Sequence, residues 1–367
     1  MMTTHVTLEA KRDVASRSGD PNERHFATGH LLTNLKGRTI SSGFITMTAQ
    51  GIQFGLTLAS TMILARLLSP RDFGLIAMVM TVMGFLRVFK DAGLSTATVQ
   101  REGITHAQVS NLFWINVAVS GLMSLLVAGA APLIAWFYRE PRLVGITLAL
   151  SITFLLTGLT VQHMALLNRQ MRFKAVAVIQ VVSMLVGVLV GIGMALLNCG
   201  YWSLVGSNVS LAVVALVLTG CASRWRPQFF ARRSGTRPLV NFGANLAAGG
   251  FIASLARGAD GLLIGRFYGA ASIGLYSRAS ALLTRPLQQF ICPIEAVFVP
   301  AFSRLQTQPE RYRRTFLEFY EAIAVTSFLF TGLFFALAHP LTLVVLGPKW
   351  EKAAVIFAGF TFAALQY

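Results

Sequence analysis

Arg278 and Arg285 stand seven residues apart in a stretch that is otherwise almost wholly apolar. On a helix that spacing brings two guanidinium groups nearly into register, two turns apart, and Gln289 continues the stripe. Planar guanidinium forks match phosphate and carboxylate oxygens, so the pair points to an anionic ligand. Glu295 lies further along the same segment, about a quarter-turn off the stripe. Pro286, Pro293 and Pro300 interrupt the segment at intervals of seven. Each removes a backbone donor and frees a carbonyl, which suits the wall of a hydrated cavity.

Two more charged clusters fall inside apolar runs. Arg257 and Asp260 are three apart, close enough to share one helical face. They read either as ligand and ion-coupling groups or as a self-neutralising pair. Arg87, Lys90 and Asp91 crowd the end of another run, as a cytoplasmic gate or as cations snorkelling to the interface. Arg278 has a snorkelling reading too, towards the opposite interface. Arg285, deeper and directly before a proline, is the hardest to explain that way. An ionisable group near the bilayer centre costs about 2.5–3.5 kcal/mol on insertion scales, so such groups face cavities or partners. Asp260 and Glu295 are the carboxylates available to a coupling proton or sodium ion.

Soluble chemistry has no foothold. There is no P-loop, nucleophile elbow or His-Glu-x-x-His, and Cys199, Cys221 and Cys292 have no paired spacing. No catalytic residue, metal site or cofactor is expected, and no enzyme. Trp114, Trp136, Trp202, Trp225 and Trp350 fall near the ends of apolar runs and read as interfacial anchors. His5, His25, His30 and His106 read as tail or loop residues, and His163 and His339 as residues near run ends.

The elements that must position these groups follow from composition. Of 367 residues, 54% are hydrophobic and only 12% charged, against roughly 25% charged in a soluble domain. Ten apolar runs, each near the roughly 20 residues that cross a bilayer, take up most of the chain. They cover 43–65, 73–92, 110–132, 143–165, 175–197, 201–222, 239–264, 271–299, 316–338 and 353 to the end. A soluble enzyme, a disulfide scaffold and a disordered chain are thereby excluded. Backbone polar groups find no water in lipid, so the runs must be helices. The fold class is an all-α polytopic membrane protein with about ten transmembrane helices.

The net charge of +17 reads as membrane orientation rather than nucleic-acid binding, because Lys and Arg sit in short loops. The side holding the N-terminal tail carries 21 of them and the other side seven, which places the N-terminus in the cytoplasm. The organisation expected is a polar cytoplasmic tail (1–38), a six-helix lobe (39–223), a basic cytoplasmic linker (224–238) and a second lobe of about four helices (239–367). The chain stops within the tenth run, at Leu365-Gln366-Tyr367, and a truncated product is expected on that ground.

An internal repeat links the two lobes. Ile63-Leu64-Ala65-Arg66 followed by Gly74-Leu75 recurs, 200 residues on, as Leu263-Ile264-Gly265-Arg266 followed by Gly274-Leu275. Six spans precede the linker, so both copies run in the same sense: a parallel repeat about an axis along the membrane normal. Chance similarity of Leu- and Gly-rich helix ends is the alternative.

Longer motifs accompany the repeat. They include Arg66-Leu-Leu-Ser-Pro-Arg-Asp-Phe-Gly74, Asp91-Ala-Gly-Leu-Ser95 through Arg101-Glu102, and Ala165-Leu-Leu-Asn-Arg169 with Phe173-Lys174. Asp260-Gly-Leu-Leu-Ile264-Gly-Arg266 through Tyr276-Ser-Arg278 and Pro300-Ala-Phe-Ser-Arg304 complete them. From about residue 35 onward the chain resembles the Wzx-type polysaccharide and O-antigen flippases of the multidrug/oligosaccharidyl-lipid/polysaccharide exporter superfamily. The resemblance implies two six-helix lobes around a cationic cavity, working by alternating access in the bacterial inner membrane. It implies an undecaprenyl-pyrophosphate-linked oligosaccharide as cargo, an H+ or Na+ gradient as drive, and polysaccharide polymerase and export machinery as partners. On that picture Arg278, Arg285, Gln289 and Arg257 contact the pyrophosphate. Relatives have twelve to fourteen spans, so the second lobe here lacks two helices. The alternatives are a cation-coupled multidrug exporter, whose ligands call for carboxylates, and a non-transporting membrane interaction subunit or inactive fragment. A membrane glycan polymerase would need a longer external loop.

Overall fold

A computed structural model describes residues 35–87, 98, 104–229, 254–256, 258–287, 302 and 308–363. Among these every regular element is helical. In chain order they are α1 (Leu35–Leu67), α2 (Pro70–Arg87), α3 (His106–Gly129), α4 (Ala131–Tyr138), α5 (Leu143–Arg169), α6 (Phe173–Leu196) and α7 (Trp202–Ser223). The run 258–287 follows as α8. Then come α9 (Pro309–Ala336), α10 (Ala338–Leu346), a 3-10 turn at Pro348–Trp350, and α11 (Glu351–Ala363). Helices α3, α5, α6, α7 and α9 are each long and apolar enough to cross a membrane. The protein is an all-α polytopic membrane protein.

Helix ends lie outside the hydropathy boundaries wherever polar residues can still cap or extend a turn. α1 begins at Leu35, within the stretch read as tail and well before residue 43. α2 starts at Pro70, at the first helical position where a missing N–H costs nothing. Ahead of it the Asp72 carboxylate accepts from Ser69 N (3.0 Å) and Ser69 Oγ (2.6 Å), and Asp72 N donates back to Ser69 Oγ (3.3 Å). Thr105 and Gln108 form a reciprocal capping box at the start of α3. α5 runs on to Arg169, and α9 begins at Pro309, so Arg311, Arg313 and Arg314 are helical rather than loop residues. In α8 the expected turn between two runs is marked by Gly269 at φ 80°, a left-handed conformation in which an α-helix cannot continue with its axis unchanged.

The chain divides into two compact units, residues 1–60 with 79–262 and residues 61–78 with 263–367. In the first, α3 packs on α5, α5 on α7, and α6 on α7. Lipid tails are as apolar as leucine, so close approach through small residues drives such contacts. Gly158 of α5 sits where a Cβ would overlap the Ser120 side chain of α3. Gly187 and Gly191 of α6 face Ser207, and a Cβ on Gly187 would lie 2.9 Å from the Ser207 carbonyl oxygen. Leu125, Leu189, Leu197 and Val217 remain more than half exposed, as expected of surfaces that meet acyl chains.

Residues 224–229 fold back along α3. Gln228 N donates to Ser110 Oγ (3.0 Å) and Trp114 Nε1 donates to Gln228 O (2.8 Å). Trp225 is buried among His106, Phe113 and His163, each meeting it edge-on within 6 Å. The anchor reading of Trp225 is therefore corrected: its indole closes the foot of the α3/α5 pair. His106, expected in a loop, is instead the buried first residue of α3. Arg169 is buried as well, donating from Nη1 to the Thr98 carbonyl at 2.9 Å, while Thr98 Oγ1 donates to Gln162 Oε1 at 3.0 Å.

Candidate functional site

Arg278 and Arg285 both lie on the second part of α8, within the second unit. Arg285 is exposed and Arg278 half-buried. The Arg278 guanidinium carbon stands 4.8 Å from the centroid of the Phe73 ring, a cation–π contact. Its Nε is buried without a hydrogen-bond partner among the described residues. A buried Nε–H without an acceptor is a donor that an anion could satisfy.

What holds Phe73 in place is the end of α1 and the start of α2. Leu68 N donates to Leu64 O at 2.8 Å and closes the last turn of α1. The next two carbonyls, which a helix end ordinarily leaves to solvent, are taken by the turn before α11. Trp350 Nε1 donates to Ala65 O (2.8 Å) and Lys349 Nζ to Arg66 O (3.1 Å), while Arg66 Nη2 donates to Val344 O (3.1 Å). Trp350 and Ala65 are both fully buried. Phe73 meets the Trp350 ring edge-on at 5.3 Å. The anchor reading of Trp350 is thus overturned too: its N–H is spent on a helix carbonyl, not on headgroups. Trp114, Trp136 and Trp202 are exposed.

The 200-residue offset reappears in space. A Cβ on Gly74 would overlap the carbonyl of Ala270, and a Cβ on Gly274 would overlap the carbonyl of Pro70. Position 70 stands to 270 as 74 stands to 274, so one crossing is made of two equivalent halves. Only glycine permits that approach at either site.

The remaining candidates divide into those the structure describes and those it does not. Asp260 is exposed, with Oδ1 accepting from Gly261 N at 2.8 Å. It belongs to the first unit, where Gly261 rests on Thr81 and Gly258 on Phe85, while Ser254 Oγ donates to Gly84 O. Arg87 is the last residue of α2. Arg257, Gln289, Glu295, Lys90 and Asp91 lie outside the described residues. So the two arginines come together on one helix, and Phe73, Trp350 and Lys349 join them unannounced by local pattern. The signal for Phe73 was its place inside the repeat, one residue before Gly74. Nothing short-range marks Trp350, whose partner is 285 residues away.

The sequence is similar to several proteins of polysaccharide biosynthesis. The chain is 29% identical over 324 residues to the succinoglycan biosynthesis transport protein ExoT of Rhizobium meliloti (strain 1021), covering 87% of this chain and 65% of that one. It is 28% identical to the teichuronic acid biosynthesis protein TuaB of Bacillus subtilis (strain 168), over 74% of this chain and 57% of the other. It is 26% identical to the lipopolysaccharide biosynthesis protein WzxC of Escherichia coli (strain K12), over 87% and 65%. The chain therefore spans somewhat under two thirds of the length of these relatives. A family model described as polysaccharide biosynthesis protein matches residues 63–355, well over half of the sequence and inclusive of both glycines, Phe73, both arginines and Trp350. The chain belongs to the family of polysaccharide biosynthesis proteins.

Proposed function

We propose that this protein moves a lipid-linked, anionic glycan precursor across the bacterial inner membrane, acting as a transporter rather than an enzyme. The observation that carries the reading is Arg278: a guanidinium inside an apolar helix, with Nε buried and without a partner among the described residues, two turns from a second arginine. A pyrophosphate headgroup is the ligand whose geometry such forks match. Its unescorted passage through hydrocarbon is prohibitive, because a bare charge loses its hydration there. Undecaprenyl pyrophosphate bearing an oligosaccharide repeat unit is the proposed cargo, carried from the cytoplasmic to the periplasmic leaflet by alternating access of two lobes, 39–223 and 239–367. Arg257 and Gln289 extend the headgroup site. Asp260 and Glu295 are the proposed coupling carboxylates for H+ or Na+, and Arg87, Lys90 and Asp91 the cytoplasmic gate. Polysaccharide polymerase and export machinery take the product. The N-terminus lies in the cytoplasm.

Three relatives named for succinoglycan, teichuronic acid and lipopolysaccharide biosynthesis support the assignment to glycan export. The test is complementation of a strain lacking its own exporter. Arg278→Gln with Arg285→Gln abolishes surface polysaccharide while membrane insertion is retained. Normal export by that double variant would refute the site.

A further inference from the structure

We infer that the Pro348–Trp350 turn is a latch on the end of α1, and that Phe73 couples this latch to anion binding at Arg278. The inference rests on the headgroup reading of Arg278 and extends it to control of that site. Its basis is an unbroken chain of contacts inside one compact unit. Arg278 lies over one face of Phe73, and Phe73 abuts the Trp350 ring. Trp350 in turn caps Ala65, and its neighbour Lys349 caps Arg66. Phe73 is 4% exposed and Trp350 fully buried, so neither ring moves without the other.

In this arrangement the anion site is half closed. A phosphate takes an arginine most strongly by two parallel bonds from one edge of the guanidinium fork. One donor of such an edge, Nε, is closed off here, since that atom is buried and unbonded among the described residues. Freeing it requires Arg278 to leave the Phe73 face or Phe73 to leave Arg278. Either move takes away one wall of the Trp350 site. A ligand that binds the freed edge therefore favours the unlatched state. By reciprocity, anything that loosens the latch tightens the ligand by the same factor. Phe73 is thus a positioning residue that parks the guanidinium while the α1 end is capped. Lys349 and Trp350 are suited to reversible capping, because α1 keeps its own hydrogen bonds when they withdraw and water can replace them at the carbonyls.

The coupling is measured on the whole chain in phosphatidylcholine nanodiscs. The probes are farnesyl pyrophosphate, for a lipid headgroup, and inorganic pyrophosphate, for the free anion. Tryptophan emission of the native chain is compared with that of Trp350→Phe, so that the difference isolates Trp350. The native chain is expected to show a red shift of the Trp350 contribution on saturation with farnesyl pyrophosphate. Phe73→Leu is expected to raise affinity between about two-fold and thirty-fold, the range set by the strength of a cation–π contact. Trp350→Phe keeps the ring packing and removes only the donor to Ala65, so it raises affinity in the same direction even if Phe73→Leu folds poorly. Arg278→Gln weakens binding of both probes. If Arg278→Gln weakens binding while neither Phe73→Leu nor Trp350→Phe changes affinity and Trp350 emission stays fixed, the latch is refuted and the headgroup site survives. If Arg278→Gln leaves affinity for both probes unchanged, the headgroup site and the latch fall together.

Discussion

Replacing Gly74 by alanine puts a methyl group into the carbonyl of Ala270, and the obstacle is backbone rather than a side chain that can rotate away. The two segments must separate, and separation also opens the Gly274–Pro70 half of the same crossing. Overpacking of this kind costs roughly 1–3 kcal/mol, occasionally more. Against it stands the gain of about 0.8–1.0 kcal/mol that alanine brings to a helix interior relative to glycine. A rigid backbone obstacle places the gross cost at or above the top of that range, so the net loss for Gly74→Ala is about 2 kcal/mol. Gly274→Ala, with the Pro70 carbonyl in the way, costs about the same. The informative quantity is the double variant. Once the crossing has parted for one methyl, the second meets less resistance, so the pair costs less than its sum by about 0.5–3 kcal/mol, as coupled neighbours do. Equilibrium unfolding in mixed detergent–lipid micelles measures all four corners of the cycle. Gly193→Ala in α6 is the control, because nothing lies within 4 Å of a Cβ there; it leaves stability unchanged or improved. Strict additivity of Gly74→Ala and Gly274→Ala, or single costs no larger than the control's, would show that the reciprocal crossing is not a tight contact.

Two smaller perturbations test helices of the first unit. Thr105→Ala removes the hydroxyl that caps α3 and destabilises the protein by about 1 kcal/mol, read by the same unfolding measurement, whereas Thr105→Ser leaves stability nearly unchanged. Tyr138→Phe removes a hydroxyl that is buried without a partner among the described residues. Discarding an unsatisfied polar group is neutral or stabilising, so a loss above about 1 kcal/mol would mean that the hydroxyl is bonded.

How much of this could be read from the chain differs from residue to residue. The helical fold class follows from hydropathy alone, because lipid leaves the backbone no other way to satisfy itself. Segment 175–197 coincides with α6 to within two residues, since the polar Lys174 and Asn198 flank an apolar run that fills the helix. α9 does not coincide, because Arg311, Arg313 and Arg314 are good helix formers outside an apolar window. Ser69 with Asp72 and Thr105 with Gln108 are capping pairs at a spacing of three, visible in sequence but invisible to a hydropathy count. Arg278 and Arg285 were legible as a face because helix geometry is local. Trp225 and Trp350 escape such a reading because tryptophan near a run end fits an interface and a buried ring equally well. Their partners lie on distant segments, and no local pattern names them.

The two residues between α1 and α2, Leu68 and Ser69, also carry a constraint of length. Surface connections commonly absorb insertions and deletions without harm. This one is held on both flanks: Ala65 and Arg66 are capped just before it, and Pro70 and Gly74 are seated on α8 just after it. Each added residue would shift the α2 start relative to the capped end of α1, carrying Phe73 off Trp350 and Gly74 off Ala270 at once. The turn should therefore keep its residue count while its residue types vary, and a tag or epitope inserted there will report on loss of the crossing rather than on topology.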